Sequence, residues 1–432
     1  MRPREVPEME VSVNSATGPP HGPANLAAFT PKDWRVVFGS SCAILTAFSI
    51  PNSAAVIQSY LSTHQLADAR AFDIGWIFGL HLFLIFFLGP LCGYFFDKDG
   101  PRFLVLIGHA SMALSYLLLI WCTEYYQSIL AYSVLGGLGG ALLNVCGFGS
   151  IALFINTTLR GRATGIAATF GGLGGIIFSS VLQHTLPNLG WSWSWGILCI
   201  VAALLGLPSC FSLNLPRDAG AQKKWPDRGK FFYLISLGLF FLEWGFSVPL
   251  TFIISYATAH EINSTAILPC FNGSSVLGRV LSGFIVDRCG AFKTTIIYVL
   301  ICAVAVLALW LPAGGSEPML LLFVLLFGVA SGGILASTPV YLSRLCNEQE
   351  VGRYFSTALA LGSFGALSSP PIAGLLLHAR GWPAVILFSG LSYIIALVFF
   401  VVLWLETARY GLPGGDSNVQ GLGALRLPSA GA

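Results

Sequence analysis

Two ionisable side chains lie inside long apolar stretches of this 432-residue chain, and they are the first candidates for chemistry. Glu243 lies in "FFLEWGFSVP" and Arg279 in "SVLGRVL". A full charge is costly in a segment that crosses a bilayer and usually marks the path of a ligand or an ion. We therefore predict that Arg279 attracts an anionic or strongly polar substrate and that Glu243 carries a coupling proton. The alternative is a structural ion pair that joins two neighbouring helices.

Four neutral polar residues lie in similar apolar stretches, namely Asn52, Asn144, Asn272 and Ser275. Together they could line a central cavity and form hydrogen bonds with a larger, weakly charged solute. For each of them, a hydrogen bond between neighbouring helices is the alternative interpretation.

The sequence gives little support for metal binding or enzymatic catalysis. His81 and His109 have no companion histidine at metal-ligand spacing, so we expect packed residues and no metal site. The ten cysteines are scattered. A membrane-embedded enzyme would need His, Asp or Cys clustered at a common depth, and no such cluster is evident. We therefore predict neither enzymatic activity nor a cofactor.

A short charged segment, "GYFFDKDGPR" at 93–102, recurs as "GFIVDRCGAFK" at 283–293. Glycine permits a tight turn between two helices, and an acidic side chain there can face the positive N-terminal end of a neighbouring helix. Such a contact can form in one conformer and break in another, whereas a simple topogenic turn is the alternative. The predicted latch residues are Gly93, Asp97, Lys98, Gly100 and Arg102, with Gly283, Asp287, Arg288 and Gly290 in the second copy.

The recurrence extends beyond these two segments. They lie 190 residues apart, while "LRGRATG" and "EVGRYFS", and likewise "GWSW" and "GWPA", match at a displacement of 191. A fixed displacement indicates an internal duplication. We predict two six-helix halves, 31–213 and 231–406, joined by a cytoplasmic linker at 214–230. Residues 1–30 and 407–432 are predicted to be cytoplasmic tails.

The elements that carry these residues are predicted from composition. Only 9% of the residues are charged, 55% are hydrophobic and the mean hydropathy is +0.77. About 20 apolar residues cross a bilayer as a helix, and continuous apolar runs of this kind argue against strands. The predicted class is an all-α membrane protein with twelve transmembrane helices in two six-helix bundles. The predicted spans are 35–60, 73–96, 103–122, 127–153, 163–185, 191–213, 231–256, 264–286, 293–312, 319–341, 352–377 and 382–405.

Positive charge predicts the orientation. All Lys and Arg residues except Arg70, Arg279 and Arg380 fall on the side of the two tails. Because positive loops stay in the cytoplasm, we expect a multi-pass protein with both termini cytoplasmic. The net charge of +3 then reflects topology, and no nucleic-acid partner is expected. Asn263, in the sequon "NST", would face outward and could accept a glycan.

Twelve helices in two halves, with G-x3-D-[KR]-x-G after the second and eighth, resemble the major facilitator superfamily over roughly 31–406. Three stretches are similar to its monocarboxylate-porter group, particularly the fungal members: "LFINTTLRGRATGIAATFGGLGG" (153–175), "FNGSSVLGRVLSGFIVDRCG" (271–290) and "ALGSFGALSSPPIAGLL". The resemblance implies an Arg at position 279 and a latch role for Asp97 and Arg102. Ser275 and Asn52 depart from it, because proton-coupled animal members have Asp and Lys there.

These features predict a secondary transporter that moves a small organic solute by alternating access. From the resemblance we expect efflux of a secondary metabolite at the plasma membrane. Proton-linked uptake of a monocarboxylate or vitamin-like compound is the alternative, and a non-transporting nutrient sensor is a distant one. The expected partners are a small-molecule substrate, the lipid bilayer and, as the candidate coupling ion, protons. A monomer is expected to be functional.

Overall fold

The computed structural model describes residues 29–155, 157–213, 229–343 and 351–409. Within these ranges the chain forms helices and short turns and contains no strand. The predicted all-α class is therefore confirmed.

The first half of the chain forms six helices. Helix α1 bends by 42° near Pro51, where a 3-10 turn interrupts it. A long helical stretch, Thr157–Ser212, is broken at Gly190 and comprises α5 and α6. The bounds are α1 Pro31–Ser49 with Pro51–Leu61, α2 Ala71–Phe87 with Gly89–Asp99, α3 Pro101–Leu119, α4 Tyr125–Phe154, α5 157–189 and α6 191–212.

The second half of the chain forms six further helices. They are α7 Lys230–Ala259, α8 Ile267–Cys289, α9 Ala291–Trp310, α10 Glu317–Ser343, α11 Val351–Arg380 and α12 Trp382–Arg409. Both α4 and α9 contain a π-helical segment, Ile129–Leu135 and Ala305–Trp310 respectively.

By length and composition, nine helices of the described ranges could each cross a membrane, or ten if the bent α1 counts as one span. The number is lower than twelve for two reasons. The stretch Arg162–Ser212 counts once, although its 51 residues would span about 75 Å as a straight helix, more than twice the apolar thickness of a bilayer. Helix α8 does not qualify because Asn272, Arg279 and its other polar residues lower its hydropathy.

Glycines with positive φ mark the reversals of the chain and follow the predicted duplication. Gly100 and Gly290 have φ of 76° and 82°, and Gly190 and Gly381 have φ of 77° and 72°. These pairs lie 190 and 191 residues apart. A residue with a Cβ is strained at such angles, so each of these turns depends on glycine.

The charged segments are more helical than predicted. We expected turns at 97–102 and 287–292, but α2 continues to Asp99 and α3 begins at Pro101. Likewise, only Gly290 separates α8 from α9. A single positive-φ glycine suffices for the reversal, and proline is well suited to the first position of α3.

The helices pack into two bundles, α1–α6 and α7–α12, which confirms that prediction. The main contacts between the bundles are α2 with α11, α5 with α8, and the last turns of α1 with α7, and a smaller one joins α10 with the stretch Thr157–Ser212. Small residues allow α2 and α11 to pack closely, because a Cβ at Gly79 of α2 would overlap the backbone carbonyl of Leu367 in α11.

Both chain ends lie at one end of the molecule, which we call the terminal face. There, Arg35 of α1 donates a hydrogen bond to the Phe211 carbonyl of α6, and Lys230 of α7 forms an ion pair with Glu406 of α12 at 3.1 Å. The opposite end, where α1 and α7 finish, is the far face. Most of the predicted linker, 214–230, and most of both tails lie outside the described residues, so their boundaries stay predictions.

Candidate functional site: a polar seam between the bundles

Arg279 lies at the contact between the bundles, near the middle of α8. It is 5% exposed, and its Nη1 donates a hydrogen bond to the backbone carbonyl of Ala168 in α5 at 2.5 Å. Its Nε is buried and has no hydrogen-bond partner. Gly172 of α5 makes room for the side chain, because a Cβ there would lie 2.7 Å from Nη1. The guanidinium is thus held between two helices with part of its hydrogen-bonding capacity unused.

Two asparagines continue this contact toward the far face. Asn272 donates from Nδ2 to the backbone carbonyl of Asn52 in α1 at 3.2 Å, and Asn52 donates to the carbonyl of Gly171 at 2.9 Å. Asn272 and Arg279 are two helical turns apart, or about 10 Å along α8. We call Asn52, Ala168, Gly171, Asn272 and Arg279 the seam.

Beyond the seam, the bundles also meet at the far face. Ser255 of α7 donates a hydrogen bond to the Gln58 side chain of α1 at 2.5 Å, and Gln183 of α5 donates to the Ser264 carbonyl at 3.5 Å. Together with the two seam contacts, they connect the bundles through side-chain hydrogen bonds. The bonds at Asn52, Gln58 and Gln183 lie between the middle of the helices and the far face, whereas the Arg279 bond lies near the middle. The far side of this conformer is therefore held closed by hydrogen bonds.

The structure does not bring all the predicted polar residues into this network. Ser275 is buried between Asn272 and Arg279 on α8, but its backbone faces Gly332 of α10 inside the C-terminal bundle. Asn144 is buried in α4 and takes part in none of the hydrogen bonds that connect the described seam residues.

Glu243 lies apart from the seam. It is 6% exposed and lines a small cavity together with Ser331 and Tyr393. The described ion pairs do not include one between Glu243 and Arg279. Helix α7 packs mainly against α11 and α12, whereas α8 packs against α5 and α10, so the two charges face different neighbours. The ion pair considered as an alternative is therefore not what the structure shows.

The predicted latch residues lie at the terminal face. Lys98, Arg102 and Arg288 are exposed, and the Arg102 guanidinium lies 5.7 Å from the ring centre of Phe103. A Cβ at Gly93 or Gly283 would meet no atom within 4 Å, so neither glycine is needed for close packing. The side chains of Asp97 and Asp287 lie outside the described part of the structure. The latch contact itself stays a prediction.

The histidines and the sequon occupy ordinary positions. His81 is buried, with Nδ1 2.8 Å from the Tyr132 carbonyl, and His109 packs where a Cβ at Gly206 would touch it. Within the described ranges, no group of three or more His, Cys, Asp or Glu could hold a metal ion. Asn263 is exposed in the turn between α7 and α8 at the far face.

Sequence reasoning missed the acceptor side of the seam. Backbone carbonyls of Ala168 and Gly171 leave no signal in residue type, and the match of Gln58 with Ser255 depends on how the bundles meet. The available signal was "FGGLGG" at 170–175, whose glycines indicate close helix packing but do not identify the partner.

Comparison with known proteins agrees with this architecture. The family model of the Major Facilitator Superfamily matches residues 36–317 and 232–423. Since these matches cover most of the chain, the protein belongs to this superfamily. It is a multi-pass membrane transporter and not an enzyme.

Several fungal relatives are similar over most of their length. An MFS-type transporter of Gibberella moniliformis is 31% identical over 86% of this chain and 90% of its own. The aspyridones efflux protein apdF of Emericella nidulans is 30% identical over 81% of this chain and 72% of its own. The agnestins efflux protein AgnL12 of Paecilomyces divaricatus is 27% identical over 93% of this chain and 94% of its own.

Proposed function

We propose that the protein exports a small organic secondary metabolite across the plasma membrane by alternating access. The efflux proteins among its relatives support the direction and the substrate class. The observation that carries the proposal is the position of Arg279, a buried cation at the contact between two bundles. A buried cation at a contact that must open offers a binding site for a polar or anionic group of the substrate.

In the proposed orientation the terminal face is cytoplasmic. This follows from the predominance of Lys and Arg on that side. The described conformer, closed at the far face, is then closed toward the outside. A cytoplasmic substrate would bind first, and rocking of the bundles would expose it to the exterior.

The seam would change partners during this cycle. We propose that Arg279 exchanges the Ala168 carbonyl for an acceptor on the substrate, while Asn52 and Asn272 separate as the far face opens. Neutral hydrogen bonds contribute only about 0.5–1.5 kcal/mol each, so rocking motions can break and re-form them. Ser275 and Asn144 remain proposed lining residues for other parts of the path.

Finer features are also proposals. The monocarboxylate-porter likeness suggests a carboxylate on the substrate, which suits a guanidinium. Protons are the proposed coupling ion, the monomer is the proposed functional unit, and Asn263 is the proposed glycan acceptor. The latch residues at 93–102 and 283–290 are proposed to steady the outward-facing state.

Export is tested with candidate solutes in intact cells. Yeast expressing the wild type, R279A or R380A would be loaded with aspyridones, agnestins or radiolabelled lactate, with and without a proton uncoupler. We expect the wild type and R380A, which alters an exposed Arg at the far face, to keep one metabolite low inside the cell. R279A or the uncoupler should raise its level. Uncoupler-sensitive accumulation of lactate would instead establish uptake and refute export.

A further inference from the structure

Glu243 is a buried carboxyl group for which the described structure provides no cation. Its Oε2 is buried and has no hydrogen-bond partner. The ion pairs of the described ranges join Arg70 with Asp73 and Lys230 with Glu406, and neither touches Glu243. An unpaired carboxylate in an apolar interior is costly, so this environment favours the neutral acid, which holds a proton.

A cavity beside Glu243 provides room for a proton carrier. It lies between α7, α10 and α12, has space for about one water molecule, and is lined by Glu243, Ser331, Tyr393 and apolar side chains. The Tyr393 hydroxyl is buried without a nitrogen or oxygen partner and lies beside the Cys302 thiol. A buried water is stable where two to four polar groups surround it. Glu243, Ser331 and Tyr393 provide three such groups around this cavity.

We propose that Glu243, Tyr393 and a water molecule in this cavity form a proton-binding site within the C-terminal bundle, physically separate from the seam at Arg279. The reaction is a reversible transfer in which the carboxyl group releases a proton to the water and becomes a carboxylate. This proposal rests on the proposed function for its role in transport, where proton uptake from outside would drive export.

The titratable groups around Glu243 come from three other helices. Tyr341 of α10 and Tyr393 of α12 lie within electrostatic range of the carboxyl group, and Cys302 of α9 contacts the Tyr393 hydroxyl. Helix α11 approaches Glu243 at Gly365, where a Cβ would touch the Cβ of Glu243. With no cation among these neighbours, loss of the proton leaves one uncompensated negative charge. That charge favours a conformer in which more water reaches the cavity.

The test observes the proton directly and needs no substrate. Infrared difference spectra of the purified protein in lipid nanodiscs, taken between acidic and alkaline buffer, report the carbonyl stretch of protonated carboxyl groups. We expect the wild type to show such a band in the acidic spectrum and E243Q to lose it. E261Q, the same change at an exposed position of the far face, should retain it. A band that persists in E243Q would overturn the proposal.

A second variant keeps the test decisive if E243Q does not fold. Y393F removes only the buried hydroxyl of a residue that lines the cavity, and we expect it to shift the pH midpoint of the band without abolishing it. An unchanged midpoint would contradict the participation of Tyr393 and of the shared water. Absence of the band with intact export refutes the proton site alone. An intact band without export of any metabolite refutes the proposed function alone.

Discussion

The two bundles descend from one repeat pattern, yet they bury different chemistry. Among the described residues, the buried ionisable side chains of α1–α6, apart from tyrosine and cysteine, are His81 and His109, whereas α7–α12 bury Glu243 and Arg279. At the seam, both donors that cross between the bundles are side chains of α8. Both acceptors are backbone carbonyls, at Asn52 and Ala168.

This difference indicates a division of labour between the halves. Glycines of α5 expose its backbone and provide a surface with acceptors but no charge, while the C-terminal bundle provides the charged groups. The turn glycines at 100 and 290, and at 190 and 381, show that the duplicated backbone was retained while the buried side chains diverged. At the seam, substitutions of the α8 donors should therefore act through side-chain chemistry, and substitutions at the α5 surface only through bulk.

The largest expected effect is that of R279K on export, paired with A168S as control. Lysine keeps the charge but not the planar, multiply donating guanidinium, and a hydrogen bond to a charged group contributes about 1.5–3 kcal/mol. We expect R279K to reduce the initial export rate by about 10- to 100-fold. A168S keeps the backbone acceptor and should stay within about twofold of the wild type. A large loss in A168S with normal R279K export would contradict the proposed division.

The next effect concerns the packing that fixes Arg279 in place. A Cβ at Gly278 would overlap the carbonyl of Val329 in α10, whereas a Cβ at Gly273, on the same helix, would meet nothing within 4 Å. Forcing the two helices apart costs about 1–3 kcal/mol. We expect G278A to lower the thermal unfolding temperature of the detergent-purified protein by several degrees, and G273A to leave it unchanged. Equal melting temperatures of G278A and G273A would show that α8 and α10 are less tightly packed than the close approach at Gly278 indicates.

A smaller effect is expected at the surface of α5. In G172A the new Cβ would lie 2.6 Å from Cγ2 of the β-branched Val276 and 2.7 Å from Nη1 of Arg279, the flexible end of a long side chain. We expect export to fall by about tenfold, equivalent to about 1.4 kcal/mol. Displacement of Val276 should also lower the stability, but by less than in G278A, where the clash is with backbone. Gly165, two turns earlier in α5, has open space around it, so G165A should export normally. If G172A and G165A export at the same rate, the space that Gly172 leaves for Arg279 does not limit export.

The sequence predicted those parts of the structure that depend on residue type alone. Apolar runs predicted the helices, and repeated glycines predicted the reversals at Gly100 and Gly290. A full charge inside such a run was sufficient to single out Arg279 and Glu243. Their separation was not predictable, because it depends on which helices pack together. Backbone acceptors such as the Ala168 carbonyl were also not predictable from the sequence, since every residue provides a carbonyl. Likewise, the pairing of Gln58 with Ser255 joins positions 197 residues apart, with no local signal.

The smallest expected effect tests whether the far face is held by both halves equally. Spin labels at D68C and E261C, in a background without other reactive cysteines, would report the distance across this face by pulsed electron resonance. Removing the hydrogen bond with Q58A or S255A should each favour the open conformer by about 1 kcal/mol, or about fivefold in population. Because both variants remove the same contact, the double variant should open the far face no further than either one alone. Additive effects would show that Gln58 and Ser255 act through separate partners, and the far-face closure would then depend on Gln183 and the seam.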